Sequence, residues 1–207
     1  MLREDLSDTL AHSRVVRFFE DQGRVREALA QAEQAVKAFP DDWRAEDDLL
    51  RCYERDGWTE EALALRERQF ERGPNAERYQ KVMKAAAAAG VNTDALRTKL
   101  HERMQRDELE QMARPAISRG LSRAPAGPDV TLRAEILGAE RRWDEACALV
   151  QPPARAHTAV LRAIAVHLSV KQRDAAVALL LRVFEQVMPQ SSSPYREALS
   201  LRRSEIS

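Results

Sequence analysis

The sequence has few aromatic residues, few glycines, only two cysteines and no excess of charge of either sign. Aromatic residues make up 5% of its 207 positions and glycine occurs 7 times, which is little for a β-sandwich or an enzyme with a phosphate-binding loop. Basic and acidic residues number 33 each, so no overall attraction to nucleic acid or an anionic membrane follows. The longest apolar run, residues 175–181, is too short to cross a bilayer.

Patterns that would support catalysis or metal binding are also missing. No two histidines are three or four residues apart, and Cys52 and Cys147 form no Cys-x-x-Cys site. We therefore expect no metal, no cofactor and no enzymatic activity. Both cysteines lie in apolar helical settings and are predicted to be buried free thiols. The N-terminus is charged from its third residue, unlike a signal peptide, so we expect a cytoplasmic protein.

A repeat is what the sequence does contain. Gly23 begins the phrase Gly-Arg-Val-Arg-Glu-Ala-Leu, and Gly57 begins Gly-Trp-Thr-Glu-Glu-Ala-Leu, at an offset of 34 residues. Pro40 and Pro74 keep the same offset, and a degenerate third copy follows at Gly90, 33 residues after Gly57. A fixed period of about this length is the mark of stacked helix–turn–helix units.

The residue types at these positions explain why each unit would be a helical pair. Glycine can adopt the positive φ that ends the first helix, and proline stops the second helix. Ala28 and Ala62 are small where two helix axes would approach closely. The pattern predicts an all-α fold, a right-handed α-solenoid of antiparallel helix pairs with about eleven helices.

The first half of the sequence resembles tetratricopeptide (TPR) repeats. In that family, small residues recur in the second helix and a proline closes the unit. Gln69 stands where the family expects alanine, and the family's Trp and Gly early in the first helix are missing. The positions that match are Ala28, Ala35 and Pro40 in the first repeat, and Ala62 and Pro74 in the second.

Most of the chain is similar to the helical C-terminal region of bacterial SWIM zinc-finger proteins. That family's zinc motif, Cys-x-Cys followed by Cys-x-His, is absent, so the resemblance implies a repeat scaffold without the metal or DNA-binding role of the finger. The phrases that carry the resemblance are Arg26-Glu-Ala-Leu-Ala, Ala38-Phe-Pro-Asp-Asp, Tyr79-Gln-Lys-Val and Tyr195-Arg-Glu-Ala-Leu.

A segment rich in proline and glycine divides the chain. Residues 114–129 hold three prolines and two glycines, which predicts a linker or a broken helix. We expect TPR-like helical repeats over residues 1–113 and a second helical-repeat segment, packed on the first, over residues 130–207. In that second segment, Ser193-Pro194 predicts the start of a last helix that ends near Arg203.

The architecture favours a non-enzymatic scaffold that binds a protein or an acidic peptide on a concave helical surface. One outward position of each first helix, eleven residues before the small alanine of the second helix, is basic in all three copies: Arg17, Arg51 and Lys84. Stacked in line, they would form a basic ladder that suits an acidic peptide or a chain carboxylate. The flanking positions are Arg44, Arg55 and Gln80. The negative charges of Glu20 and Glu54 would weaken the positive electrostatic potential of the ladder.

Three alternatives stay open from the sequence. The ladder positions can instead belong to a solvated charged face with local Glu pairing. A nucleic-acid-associated accessory protein related to SWIM zinc-finger proteins is a second alternative. It rests on that kinship and on residues 97–123, with seven basic against four acidic residues. An enzyme on a helical scaffold is the third.

Overall fold

A computed structural model describes residues 8–113, 127–169 and 172–187, and these residues form ten α-helices and no strand. An isolated parallel bridge joins Asp129 to Arg155. The all-α prediction is confirmed, and the predicted eleventh helix, from Ser193-Pro194 to Arg203, lies outside the described residues. The helices are α1 (Thr9–Asp21), α2 (Val25–Ala38), α3 (Trp43–Asp56), α4 (Thr59–Arg72), α5 (Ala76–Ala88), α6 (Thr93–Ala113), α7 (Thr131–Ala139), α8 (Trp143–Leu149), α9 (Thr158–Leu168) and α10 (Arg173–Val187).

The same turn joins the two helices of four successive pairs, α1–α2, α3–α4, α5–α6 and α7–α8. Gly23, Gly57 and Gly90 have φ of 68°, 78° and 68°, and Arg141 adopts the same conformation with φ of 61°. The residue after each of them donates its N–H to the carbonyl five residues earlier, which satisfies the end of the first helix. These bonds run from Arg24 to Phe19, Trp58 to Tyr53, Val91 to Ala86 and Arg142 to Leu137, at 2.8–2.9 Å.

The chain divides into two compact units, Met1–Lys99 and Leu100–Ser207, with the division inside α6. Residues 114–126 lie outside the part that is described, so the predicted linker over residues 114–129 stays a prediction. None of the described helices is long and apolar enough to cross a membrane.

In the first unit, α1 packs on α2 and α3, α4 packs on α3, and α5 packs on α4. Small residues occupy the crossings as predicted: Ala28 and Ala62 are both buried. Ala95, their counterpart in the degenerate third copy, is exposed. The core cluster comprises Val16, Ala28, Ala32, Leu49, Leu50, Cys52, Ala62 and Leu65.

In the second unit, α7 packs on α8, and α9 packs on α10. Trp143 stacks on His167 with ring centroids 4.3 Å apart and also lies against Gly138. Arg182 of α10 donates to the carbonyls of Val150 and Ala154, so a cation satisfies groups near the end of α8. These contacts tie the two helix pairs of the unit together.

Candidate partner-binding surface

Hydroxyl groups of α1 donate to carboxylates at and near the start of α3. The Thr9 hydroxyl donates to Asp42 at 2.6 Å, and Asp42 also caps α3 by accepting the Arg44 N–H at 2.9 Å. The Ser13 hydroxyl donates to the buried carboxylate of Asp48. These bonds fix how the first helices of two successive pairs lie against each other.

Two predicted site residues, Arg51 and Arg55, share the carboxylate of Glu20 from the neighbouring helix. Their guanidinium groups lie 3.2 Å from its oxygens, and they also pair with Asp48 at 2.8 Å and Asp56 at 2.7 Å, respectively. Burial opposes the charged form of Arg51, but hydrogen bonds to Glu20 and Asp48 outweigh it and raise its pKa. At these two positions the structure shows the local Glu pairing that the first alternative describes.

The other predicted site residues are exposed and are not held in this way. Arg17 on α1, and Gln80 and Lys84 one turn apart on α5, make no side-chain hydrogen bond or ion pair with the described residues. Arg44 lies over the exposed ring of Trp43, 5.3 Å from its centroid, in cation–π geometry. The structure therefore groups Arg51 with Arg55, and Gln80 with Lys84, while the continuous ladder stays a prediction.

A groove of about 370 Å³ lies between α3, α4 and α5 in the first unit. Lys84 is the only predicted site residue on it. Its lining includes three cationic side chains, one carboxylate and three alanines. The lining residues used below are Glu54 from α3, Ala62 and Arg66 from α4, and Lys81, Lys84 and Ala88 from α5.

The cations of the groove differ in how firmly they are held. Arg66, whose side chain is 15% exposed, donates to Glu54 at 2.9 Å and to Gln69 at 3.4 Å. Lys81 pairs with Glu77 at 2.7 Å along α5.

Sequence reasoning missed Arg66 because the ladder considered only first helices. Its position four residues after the small Ala62, on the same face of α4, was the available signal.

A buried carboxylate elsewhere in this unit serves packing. Glu46 of α3 is 3% exposed, accepts from Gln69 at 3.2 Å and pairs with Arg72 of α4.

Cys52 and Cys147 are buried free thiols, as predicted. Burial, helped by the nearby charge of Glu20, raises the pKa of Cys52 to about 11. Within the described residues, no group of three or more His, Cys, Asp or Glu side chains could hold a metal ion.

Comparison with known proteins found similarity among solved structures alone. No protein-family model matches the chain, and no curated protein matches it. The chain is similar to a thermophilic TPR protein of Thermus thermophilus, with 20% identity over 94% of this chain and 99% of that chain, and a TM-score of 0.35. At so low a TM-score the likeness carries no argument about function, and the helix-pair architecture rests on the four shared turns. The kinship with SWIM zinc-finger proteins stays a prediction.

Proposed function

We propose that this protein binds another protein or an acidic peptide on the helical surface of its first unit, without catalysing a reaction. The observation that carries the proposal is the pair of exposed cations, Arg17 and Lys84, at matching positions of first helices in a chain of stacked pairs. Stacked helix pairs form extended surfaces that are used for partner binding. Exposed cations on such a surface attract carboxylates and form charge-assisted hydrogen bonds with them.

The remaining predicted residues have secondary roles in this proposal. A partner that contacts Arg51 or Arg55 competes with Glu20 for the guanidinium groups, so these positions contribute less than Arg17 and Lys84. Arg44 and Gln80 extend the polar surface toward the starts of α3 and α5. The charges steer association and set specificity more than they set the total affinity.

A triple substitution of Arg17, Arg51 and Lys84 to Ala tests the proposal. Wild-type and variant chains are used as bait, captured proteins are identified by mass spectrometry, and both chains are melted thermally. We expect discrete partners on the wild-type chain that the variant loses while it stays folded, with a melting temperature lowered by the loss of the Arg51 pairs to Glu20 and Asp48. Equal capture by both chains contradicts the proposal.

A matched control removes the same charge elsewhere in the first unit. Arg26, Lys37 and Arg68 are exposed on the second helices α2 and α4, and their side chains pair with no described residue. The triple alanine variant at these positions should keep every partner of the wild-type chain. Equal loss in both triple variants would mean that overall charge, and not this surface, determines capture.

The nucleic-acid alternative gains no specific support from the described residues. It rests on residues 97–123, of which residues 114–123 lie outside the described part of the chain. Within the described part, Arg97 pairs with Asp94 on its own helix.

A further inference from the structure

The charged residues that join α1 to α3 have counterparts on α3 and α5 that are paired differently. Between α1 and α3, Glu20 is paired with Arg51 and Arg55. The counterpart of Glu20 on α3 is Glu54, 34 residues later, and it pairs with Arg66 of α4. Lys84, the counterpart of Arg51, is thereby left without an ion pair among the described residues. The groove lies beside Glu54 and Lys84, the counterparts of Glu20 and Arg51.

The competition for each cation decides where an incoming carboxylate gains most. At Arg51 it must displace Glu20 and Asp48, so the net gain is the difference between two similar ion pairs. At Lys84 it displaces only solvent, so no ion pair within the protein has to be broken. Lys84 is therefore the better anchor.

The groove also has room for side chains of a docked segment. Its volume of about 370 Å³ lies within the usual range for ligand pockets. Ala62 and Ala88 leave room for a small apolar side chain between carboxylates. Arg66 is held by hydrogen bonds to two other side chains, so little side-chain entropy remains to be lost on binding.

We infer that an acidic segment of a partner protein docks in the groove between α3, α4 and α5, with Lys84 as its anchor and Lys81 and Arg66 as further cationic contacts. This inference rests on the proposed function and narrows it to one site and one ligand chemistry. The lining holds three cations and one carboxylate, and two of the cations are already paired: Arg66 with Glu54, and Lys81 with Glu77 of its own helix. Lys84 has no ion pair among the described residues, so it gives the groove an uncompensated positive charge in a chain of zero net charge. That complementarity is the reason for an acidic occupant.

A defined peptide tests the site directly. The full chain is titrated into fluorescein-labelled Glu-Glu-Leu-Glu-Glu, or into its Lys-for-Glu counterpart, and anisotropy is followed at low and physiological salt. Lys84→Glu should weaken binding of the acidic peptide about tenfold or more. Lys37→Glu, an identical charge change at an exposed site on α2, should alter it by less than about twofold. The Lys-containing peptide should not bind.

A steric variant separates the groove from a general charge effect. Ala88→Phe fills the groove at the end of α5 without changing the charge, so it should also weaken the acidic peptide. Circular dichroism melting of each variant checks that the fold is kept. No binding to the wild-type chain, or equal affinities of the Lys84→Glu and Lys37→Glu variants, overturns the inference.

A further variant distinguishes failure of the groove from failure of the proposed function. If Arg17→Glu weakens the peptide and Lys84→Glu does not, the groove assignment is wrong while the proposed function stands. If the wild-type chain does not bind the peptide but captures partners that the triple variant loses, the groove assignment is again wrong and the proposed function stands. If the peptide does not bind and the triple variant captures the same proteins as the wild-type chain, both are wrong.

Discussion

Replacing Arg141 with Gly should stabilise the second unit. Arg141 ends α7 with φ of 61°, a conformation that costs a residue with a side chain roughly 1–2 kcal/mol. Gly has greater conformational freedom in the unfolded chain, which offsets about 0.5–1 kcal/mol of this gain in the free energy of unfolding. The Arg141 side chain is exposed and pairs with no described residue, so its removal costs nothing further. The expected net gain is about 0.5–1 kcal/mol.

The reciprocal change, Gly57→Ala, is the matched control. A Cβ at Gly57 would meet no atom within 4 Å, so no clash contributes and the cost is conformational alone. With φ of 78°, this substitution should destabilise the first unit by about 1 kcal/mol. Because the two turns share the same backbone conformation and the two substitutions are opposite, the free energy of unfolding should rise for Arg141→Gly and fall for Gly57→Ala.

Both variants are compared with the wild type by urea denaturation and by calorimetry, because two units need not unfold together. A change of about 1 kcal/mol corresponds to about 4–8 °C in the melting temperature of a domain of up to roughly 100 residues. An unchanged or lowered midpoint for Arg141→Gly, at an unchanged denaturant slope, would refute the shared left-handed turn.

Three further predictions concern the first unit. Asp42→Ala should cost about 1–2 kcal/mol, because it removes the cap of α3. The hydrogen bond from Thr9 holds the pKa of Asp42 below its ordinary value. The part of the difference that depends on the charge should therefore be present at neutral pH and be lost as pH falls through the pKa of Asp42 in the folded chain, which urea denaturation at several pH values measures. Arg72→Ala should cost about 1–3 kcal/mol in the same assay, and Arg72→Lys less, because the buried Glu46 loses a partner. The Cys52 thiol, with a pKa of about 11, should react slowly with a disulfide reagent at pH 8 unless denaturant is added; fast reaction of the native chain would contradict its burial.

The helical pairs could be predicted because glycine marks the left-handed turn directly. Gly23, Gly57 and Gly90 all have the positive φ that their spacing predicts. The fourth turn could not be found in this way, since Arg141 occupies the same conformation and arginine is not a marker of positive φ. The sequence also did not show that Ala95 is exposed, because the spacing of small residues does not reveal whether two helices pack against each other at that position.

The candidate site was predictable only in part. Spacing placed Arg51 and Lys84 at matching positions, but their surroundings depend on how neighbouring helices meet. Glu20 reaches Arg51 across 31 residues of sequence, whereas its counterpart Glu54 turns to Arg66 of another helix. Such choices between two possible partners are settled by packing, which the residue pattern does not contain.

The most direct test of the binding claim is a nuclear magnetic resonance titration of the isotopically labelled chain with the acidic peptide. We predict saturable shifts of backbone amides around Lys81 and Lys84 on α5 and around Arg66 on α4, with the second unit unchanged. The Lys84→Glu chain should show these shifts only at much higher peptide concentration. Unchanged spectra, or shifts confined to residues 100–187, would contradict the account.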